Sequence, residues 1–231
     1  MDGFRAWAAQ LQWGNILEPL VLVAASALCI MIHEVCHGLS AYWLGDQTAK
    51  KAGRLSLNPL RHIDLMGLAM MVILKFGWAK PVPVDPRNFK NPKSSMALTA
   101  LAGPVSNILL AWVATVFYSV FAWLFLRHPG AQWLYYPCLF FQYMSMLSAG
   151  LAVFNLFPIP PLDGSKVVFA LLPNKAYAFV LHYERYGMLI LLGLMYFGGL
   201  DMPLGVLRDL LMQGIWAIGH WPINLLNFIV G

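Results

Sequence analysis

The long uncharged stretches of this sequence decide most of what it can fold into. From Met96 to Leu126, and again from Trp133 to Phe157, there is no Asp, Glu, Lys or Arg. From Ile16 to Leu44 only Glu18 and Glu34 interrupt an apolar run. A helix needs about 20 apolar residues to cross the hydrocarbon core of a bilayer. Inside that core the backbone must satisfy its own N–H and C=O groups, which favours helices. The three runs are therefore expected to be transmembrane helices. Two more follow, from Gly187 to Leu200 with flanking residues and from Leu204 to Val230, where Gly214, Gly219 and Pro222 predict a kink or break. A short apolar helix is expected from Ser165 to Leu172.

Composition agrees. The chain is 60% hydrophobic and 11% charged, against about 45–50% and about 25% in soluble domains. The expected fold is an all-α polytopic membrane protein of about five spans. It reads as one domain over residues 1–231, with a three-helix catalytic core at about 16–172 and two C-terminal spans at about 183–230. Residues 1–15 carry Asp2 and Arg5 and do not read as a signal peptide.

Gly45 to Pro92 is different in character. Nine of the fifteen Lys and Arg lie between Lys50 and Lys93. Basic residues beside apolar spans mark the cytoplasmic side and meet anionic lipid heads, and nothing here favours nucleic acid. On the five-span reading twelve Lys and Arg face one side and three the other, which places the N-terminus outside and the C-terminus inside. Met66 to Leu74 is too short to span and is expected to be re-entrant or interfacial. Trp78 to Val84 alternates in an extended pattern, and Pro81 and Pro83 limit it to an edge strand. Such an edge could receive an unwound substrate segment by strand addition.

The chemistry starts in the first span, at His33-Glu34-Val35-Cys36-His37. His33 and His37 lie one helical turn apart on one face. That spacing lets two imidazoles hold one Zn²⁺ with the intervening carboxylate as general base, and later as proton donor to the leaving amine. Three ionisable residues in five positions of an apolar span are costly unless they serve a site. His37 is seven residues from Leu44, or roughly 10 Å, so the site should sit in the cytoplasmic half of the membrane. Cys29, Cys36 and Cys138 all lie in apolar runs and read as small hydrophobes.

Catalytic zinc usually has three protein ligands and one open position. Asp163 is the leading candidate for the third. It ends a stretch, Asn155 to Gly164, whose prolines 158, 160 and 161 cannot continue a regular helix. Irregular backbone at membrane depth belongs in protein or beside a wet cavity. Gly164 would let the chain turn closely past the metal. An ordinary Pro-Asp-Gly turn is the competing reading.

Taken together, these segments resemble the site-2 protease family of intramembrane zinc metalloproteases, in its compact prokaryotic form. The matching pieces are residues 33–37, Gly53-Arg-Leu-Ser-Leu-Asn-Pro59, Pro81-Val-Pro-Val84, Ala102-Gly-Pro-Val-Ser-Asn107, and Asn155 to Gly164. They occur in the family's order and cover about residues 30 to 170. The resemblance implies one Zn²⁺ held by His33, His37 and Asp163, with Glu34 catalytic. It also implies that Asn155 helps hold the substrate or the oxyanion, where an amide N–H makes physical sense. Read without the family, Asn155 is a polar helix–helix contact. The implied substrate is a transmembrane protein, cut in the cell membrane. Gly38 and the lack of a proline after Asp64 depart from the family pattern, and no separate regulatory domain is expected in this length.

Other residues have simpler expectations. Gly103 and Pro104 should bend the second span or let helices approach. Asn107 should bond across helices. His62 and Asp64 could back a ligand histidine or lie at the surface. The competing function is a membrane metal-binding or transport protein without proteolytic activity. It predicts ionisable residues along several spans, whereas here they converge on one point.

Overall fold

The computed structural model describes residues 16–62, 64, 80–173, 175–177, 180 and 186–230. Residues 1–15 and the expected re-entrant stretch Met66 to Leu74 lie outside these. Among the described residues all regular structure is helical. The three uncharged runs become α1 (Leu17–Trp43), α2 (Pro92–Arg127) and α3 (Tyr135–Leu156). Each is long and apolar enough to cross a membrane. The proline-rich stretch ends α3 and leads into α4 (Asp163–Leu171). The C-terminal part forms α5 (Gly187–Tyr196), α6 (Asp201–Gly219) and α7 (Trp221–Val230).

The expected break in the last run is present, at the junction of Gly219 and Trp221. The two C-terminal spans of the sequence reading meet at a bend of 89°. That gives three clear spans, or four if the bent pair counts as one.

α1, α2 and α3 pack on one another, and α4 packs on α2. Small residues make this possible. Ala25 and Cys29 of α1, Ala114 of α2 and Ala149 of α3 are fully buried. In lipid there is no hydrophobic drive between helices, so close backbone approach and polar bonds hold them together. Thr115 Oγ1 and Ser145 Oγ lie 2.7 Å apart, and Ser148 Oγ donates to Cys29 Sγ at 3.1 Å. Large apolar side chains such as Leu20, Val23, Leu109 and Phe117 instead point outward, as a lipid-facing surface requires.

Between α1 and α2 the described residues 44–62 and 80–91 form a cap over the end of α1. Gly45, at φ +110°, takes the left-handed conformation that lets the chain leave α1. Asp46 then accepts hydrogen bonds from the backbone N–H groups of Thr48 and Asp85 at 3.0 and 2.8 Å. Asn88 Nδ2 adds a third at 2.7 Å. The carboxylate thus ties the end of α1 to the segment that leads into α2.

Candidate metal centre

α1 presents His33 and His37 on its buried face, with the two Nε2 atoms 3.0 Å apart and the rings edge to face. Asp163 opens α4 and brings its Oδ2 within 3.2 Å of His33 Nε2 and 3.0 Å of His37 Nε2. All three side chains are buried. Atoms on a tetrahedral zinc, each about 2.0–2.2 Å from the ion, lie roughly 3.3–3.5 Å from one another. The trio is close to that spacing. With neutral imidazoles, three electron-pair donor atoms lie near enough to share one cation, which would remove their mutual repulsion. The donor set therefore fits a zinc ion.

The opposite ring nitrogens support this arrangement. His37 Nδ1 lies 2.7 Å from the Thr99 carbonyl and so carries the proton, which leaves the lone pair on Nε2. His33 Nδ1 lies 3.2 Å from the amide of Asn107. As placed, Asn107 Oδ1 is buried without a partner among the described residues. Turning the amide brings Oδ1 to the ring and sets His33 in the same tautomer, with the amide N–H₂ then in the place that Oδ1 holds as drawn.

Both partners come from α2, and so does the space the imidazoles occupy. A Cβ on Gly103 would lie 2.4 Å from His37 Nε2 and 2.6 Å from His33 Cε1. Thr99, Gly103 and Asn107 belong to a longer stripe, Ser95-Thr99-Gly103-Asn107-Ala111-Thr115-Ser119, every member buried. Residues four apart share a helix face, and this stripe is the face that α2 turns inward.

A cavity of about 320 Å³ opens beside the trio. Glu34, Asn155 and Lys166 line it, together with Pro81, Val82 and Val84. Glu34 Oε2 accepts from the backbone N–H of Val82 at 2.9 Å. Asn155 Nδ2 donates one hydrogen to the Leu151 carbonyl at 3.0 Å, which leaves a second N–H on the same nitrogen. Lys166 Nζ stands 3.8 Å from Asp163 Oδ1, one turn along α4.

Comparison with known proteins bears on this geometry. The model of peptidase family M50 matches residues 127–195, a stretch that includes Asn155 and Asp163. The chain is 39% identical over 176 residues to "Putative zinc metalloprotease YwhC" of Bacillus subtilis (strain 168), covering 74% of this chain and 78% of that one. The chain belongs to peptidase family M50, the site-2 proteases. MJ0611 of Methanocaldococcus jannaschii, under the same form of name, is 39% identical over 155 residues, 67% of this chain and 72% of its own. Rip2 of Mycolicibacterium smegmatis is 27% identical over 176 residues, 70% of this chain and 62% of its own. No solved structure matches significantly. As an M50 peptidase the protein is a membrane-embedded zinc metalloprotease.

Within this M50 chain, the structure brings together the residues singled out in the sequence. His33, Glu34, His37, Asn155 and Asp163 all line one cavity. Three expectations change. His62 is buried but reaches the Ser56 carbonyl at 3.0 Å, so Thr99 and Asn107 back the histidines in its place. Gly164 packs against the end of α3, where a Cβ would lie 2.0 Å from the Leu156 carbonyl oxygen, and not against the metal position. In the expected edge segment, the described residues Lys80 to Val84 form no strand. The Lys80 and Pro81 carbonyls and the Val82 N–H are already bonded to Arg54 and Glu34. An incoming strand could pair only with what remains. Lys166 was not foreseen as a site residue, although its place one turn after Asp163 was visible.

Proposed function

We propose that His33, His37 and Asp163 are the zinc ligands of this protease, that Glu34 is its general base, and that Asn155 steadies the oxyanion. The observation that carries this reading is the meeting of three ligand atoms, from sequence positions 130 residues apart, at 3.0–3.2 Å from one another. Zinc, when bound, polarises the scissile carbonyl and acidifies water. Glu34 accepts the proton of the attacking water and passes it to the departing amine. The remaining N–H of Asn155 faces negative charge developing on the carbonyl oxygen. Thr99 and Asn107 hold the two imidazoles in the required tautomer.

The substrate in this proposal is an unwound transmembrane segment of another protein. His37 lies six residues from the end of α1, about 9 Å along the helix, and the adjoining cap carries most of the basic residues. The site then opens toward the cytoplasm across the cell membrane, with lipid around the core. Counting α5 separately from α6 and α7 gives five spans in one domain over residues 1–231.

Glu34→Gln tests the reading. Purified protein is assayed for zinc and for cleavage of fluorescein-labelled casein, an unfolded chain that needs no unwinding. One zinc per chain should remain while turnover falls about 10²–10⁴-fold. Undiminished cleavage by the variant would remove Glu34 from the mechanism.

A further inference from the structure

We propose that Arg54 is a positioning residue for Glu34, acting through the backbone of Lys80 to Val82. The inference rests on Glu34 being the general base.

Arg54 is 8% exposed, in the cap between α1 and α2, and among the described residues it has no carboxylate partner. Its guanidinium is directed at backbone carbonyls. Nη1 donates to the Arg61 carbonyl, and Nη2 donates to the carbonyls of Lys80 at 2.6 Å and Pro81 at 3.1 Å. A buried cation without a carboxylate beside it is costly unless its N–H groups find acceptors. Here both terminal nitrogens do, and they join two distant pieces of chain. The Lys80 N–H bonds back to the His62 carbonyl at 2.9 Å, which closes the same junction from the other side.

What this junction holds is a single donor. Pro81 and Pro83 have no N–H, so the Val82 N–H is the only backbone donor of that three-residue stretch. It is aimed at Glu34 Oε2, at 2.9 Å. The following proline restricts Val82 to extended conformations, and Pro81 has a fixed φ. With Arg54 gripping the two carbonyls just upstream, the N–H has one direction left. A glutamate has several rotatable bonds. Fixing one carboxylate oxygen orients the other toward the cavity, where the proton of water is to be taken. Arg54 touches neither zinc nor substrate, and its effect reaches the reaction only through Val82 and Glu34.

The test uses the purified full-length protein, labelled casein, and a zinc assay on every sample. Arg54→Ala should lower kcat about 10–100-fold, the range that misplacing a catalytic group produces. KM should stay within about twofold and zinc at one per chain. Arg54→Lys, which loses the planar fork but keeps the charge, should restore only part of the rate. Replacing Val82 with its α-hydroxy analogue turns one N–H into an ester oxygen and leaves the side chains intact. It should reproduce the kcat loss, and combining it with Arg54→Ala should add little. Full kcat in the ester-bearing protein overturns the proposal, even if Arg54→Ala unfolds. So does an Arg54→Ala effect confined to KM or to zinc content. Glu34→Gln, run alongside, separates the two ideas: if it stays active, the premise falls, whereas an inactive Glu34→Gln with a fully active ester fails Arg54 alone.

Discussion

Two buried aspartates of this protein sit in opposite circumstances. Asp46 is surrounded by donors: the N–H groups of Thr48 and Asp85, the Thr48 hydroxyl and the Asn88 amide. Asp163 faces two imidazole nitrogens at 3.0 and 3.2 Å, the nearer on His37, whose proton is held by the Thr99 carbonyl, and the Lys166 ammonium is 3.8 Å away. One carboxylate is satisfied by the protein. The other is one of three electron-pair donors near enough to share one cation. The difference separates a group that holds a fold from one proposed as a zinc ligand. It also makes the two residues a matched pair for experiment.

The sharpest separation should come from Asp163→Ala. Removing one of three ligands should take zinc per chain to near zero and abolish casein cleavage, while the fold persists because α1, α2 and α3 do not depend on that carboxylate for packing. Zinc analysis alongside circular dichroism is sufficient. A fully loaded Asp163→Ala protein would erase the contrast, since both aspartates would then be structural.

A smaller effect should follow from Gly103→Ala. The added methyl would occupy the space 2.4 Å from His37 Nε2 and 2.5 Å from its Cε1. The atoms it meets are imidazole ring atoms held by Thr99 and Asn107, and α2 cannot retreat without breaking those contacts. Zinc affinity should fall about 10–100-fold, the usual range for damage to the groups supporting metal ligands. Competition with a fluorescent chelator would measure it. Unchanged affinity would mean that the imidazoles are less confined than the contacts indicate.

Much of this could be read in the sequence, and the failures have physical causes. The three long spans, the short helix expected from Ser165, which in the structure begins at Asp163, and the break near Gly219 followed from run length and proline or glycine placement. The two histidines and Glu34 followed from helical spacing. Asp163 stood out through the prolines before it, but an ordinary Pro-Asp-Gly turn remained the competing reading on local grounds. The family pattern, and then proximity in space, favour the ligand. The roles of Thr99, Gly103 and Asn107 were visible as part of a seven-member stripe of small and polar residues at four-residue intervals, a signal easily lost among apolar neighbours. Arg54 and Val82 were hidden for another reason. Their bonds run through backbone carbonyls and one N–H, which residue identity does not encode. The C-terminal arm was hardest, because apolar length alone cannot say whether two helices cross the membrane or meet at 89°.

The last comparison concerns Asp46→Asn, where the expected change is in stability and not in metal. An amide can accept only at its oxygen, so at least one of the buried donors around it loses its partner and its own N–H₂ meets other donors. That should destabilise the cap by about 1–3 kcal/mol and leave zinc per chain unchanged. The pH dependence gives a second measure. Burial alone would raise the Asp46 pKa, but the hydrogen bonds from Thr48, Asp85 and Asn88 outweigh it and hold the carboxyl below its ordinary value. A group lowered in this way stabilises the fold at all pH above its unfolded value of about 3.9, and the contribution disappears as the pH falls through the lower folded value. The wild type should therefore lose more stability than Asp46→Asn on acidification below about pH 4, and their thermal unfolding curves should converge there. If the two proteins stay equally far apart down to the lowest accessible pH, the Asp46 charge is not what binds the cap, and the shape of the hydrogen-bond network alone accounts for the difference.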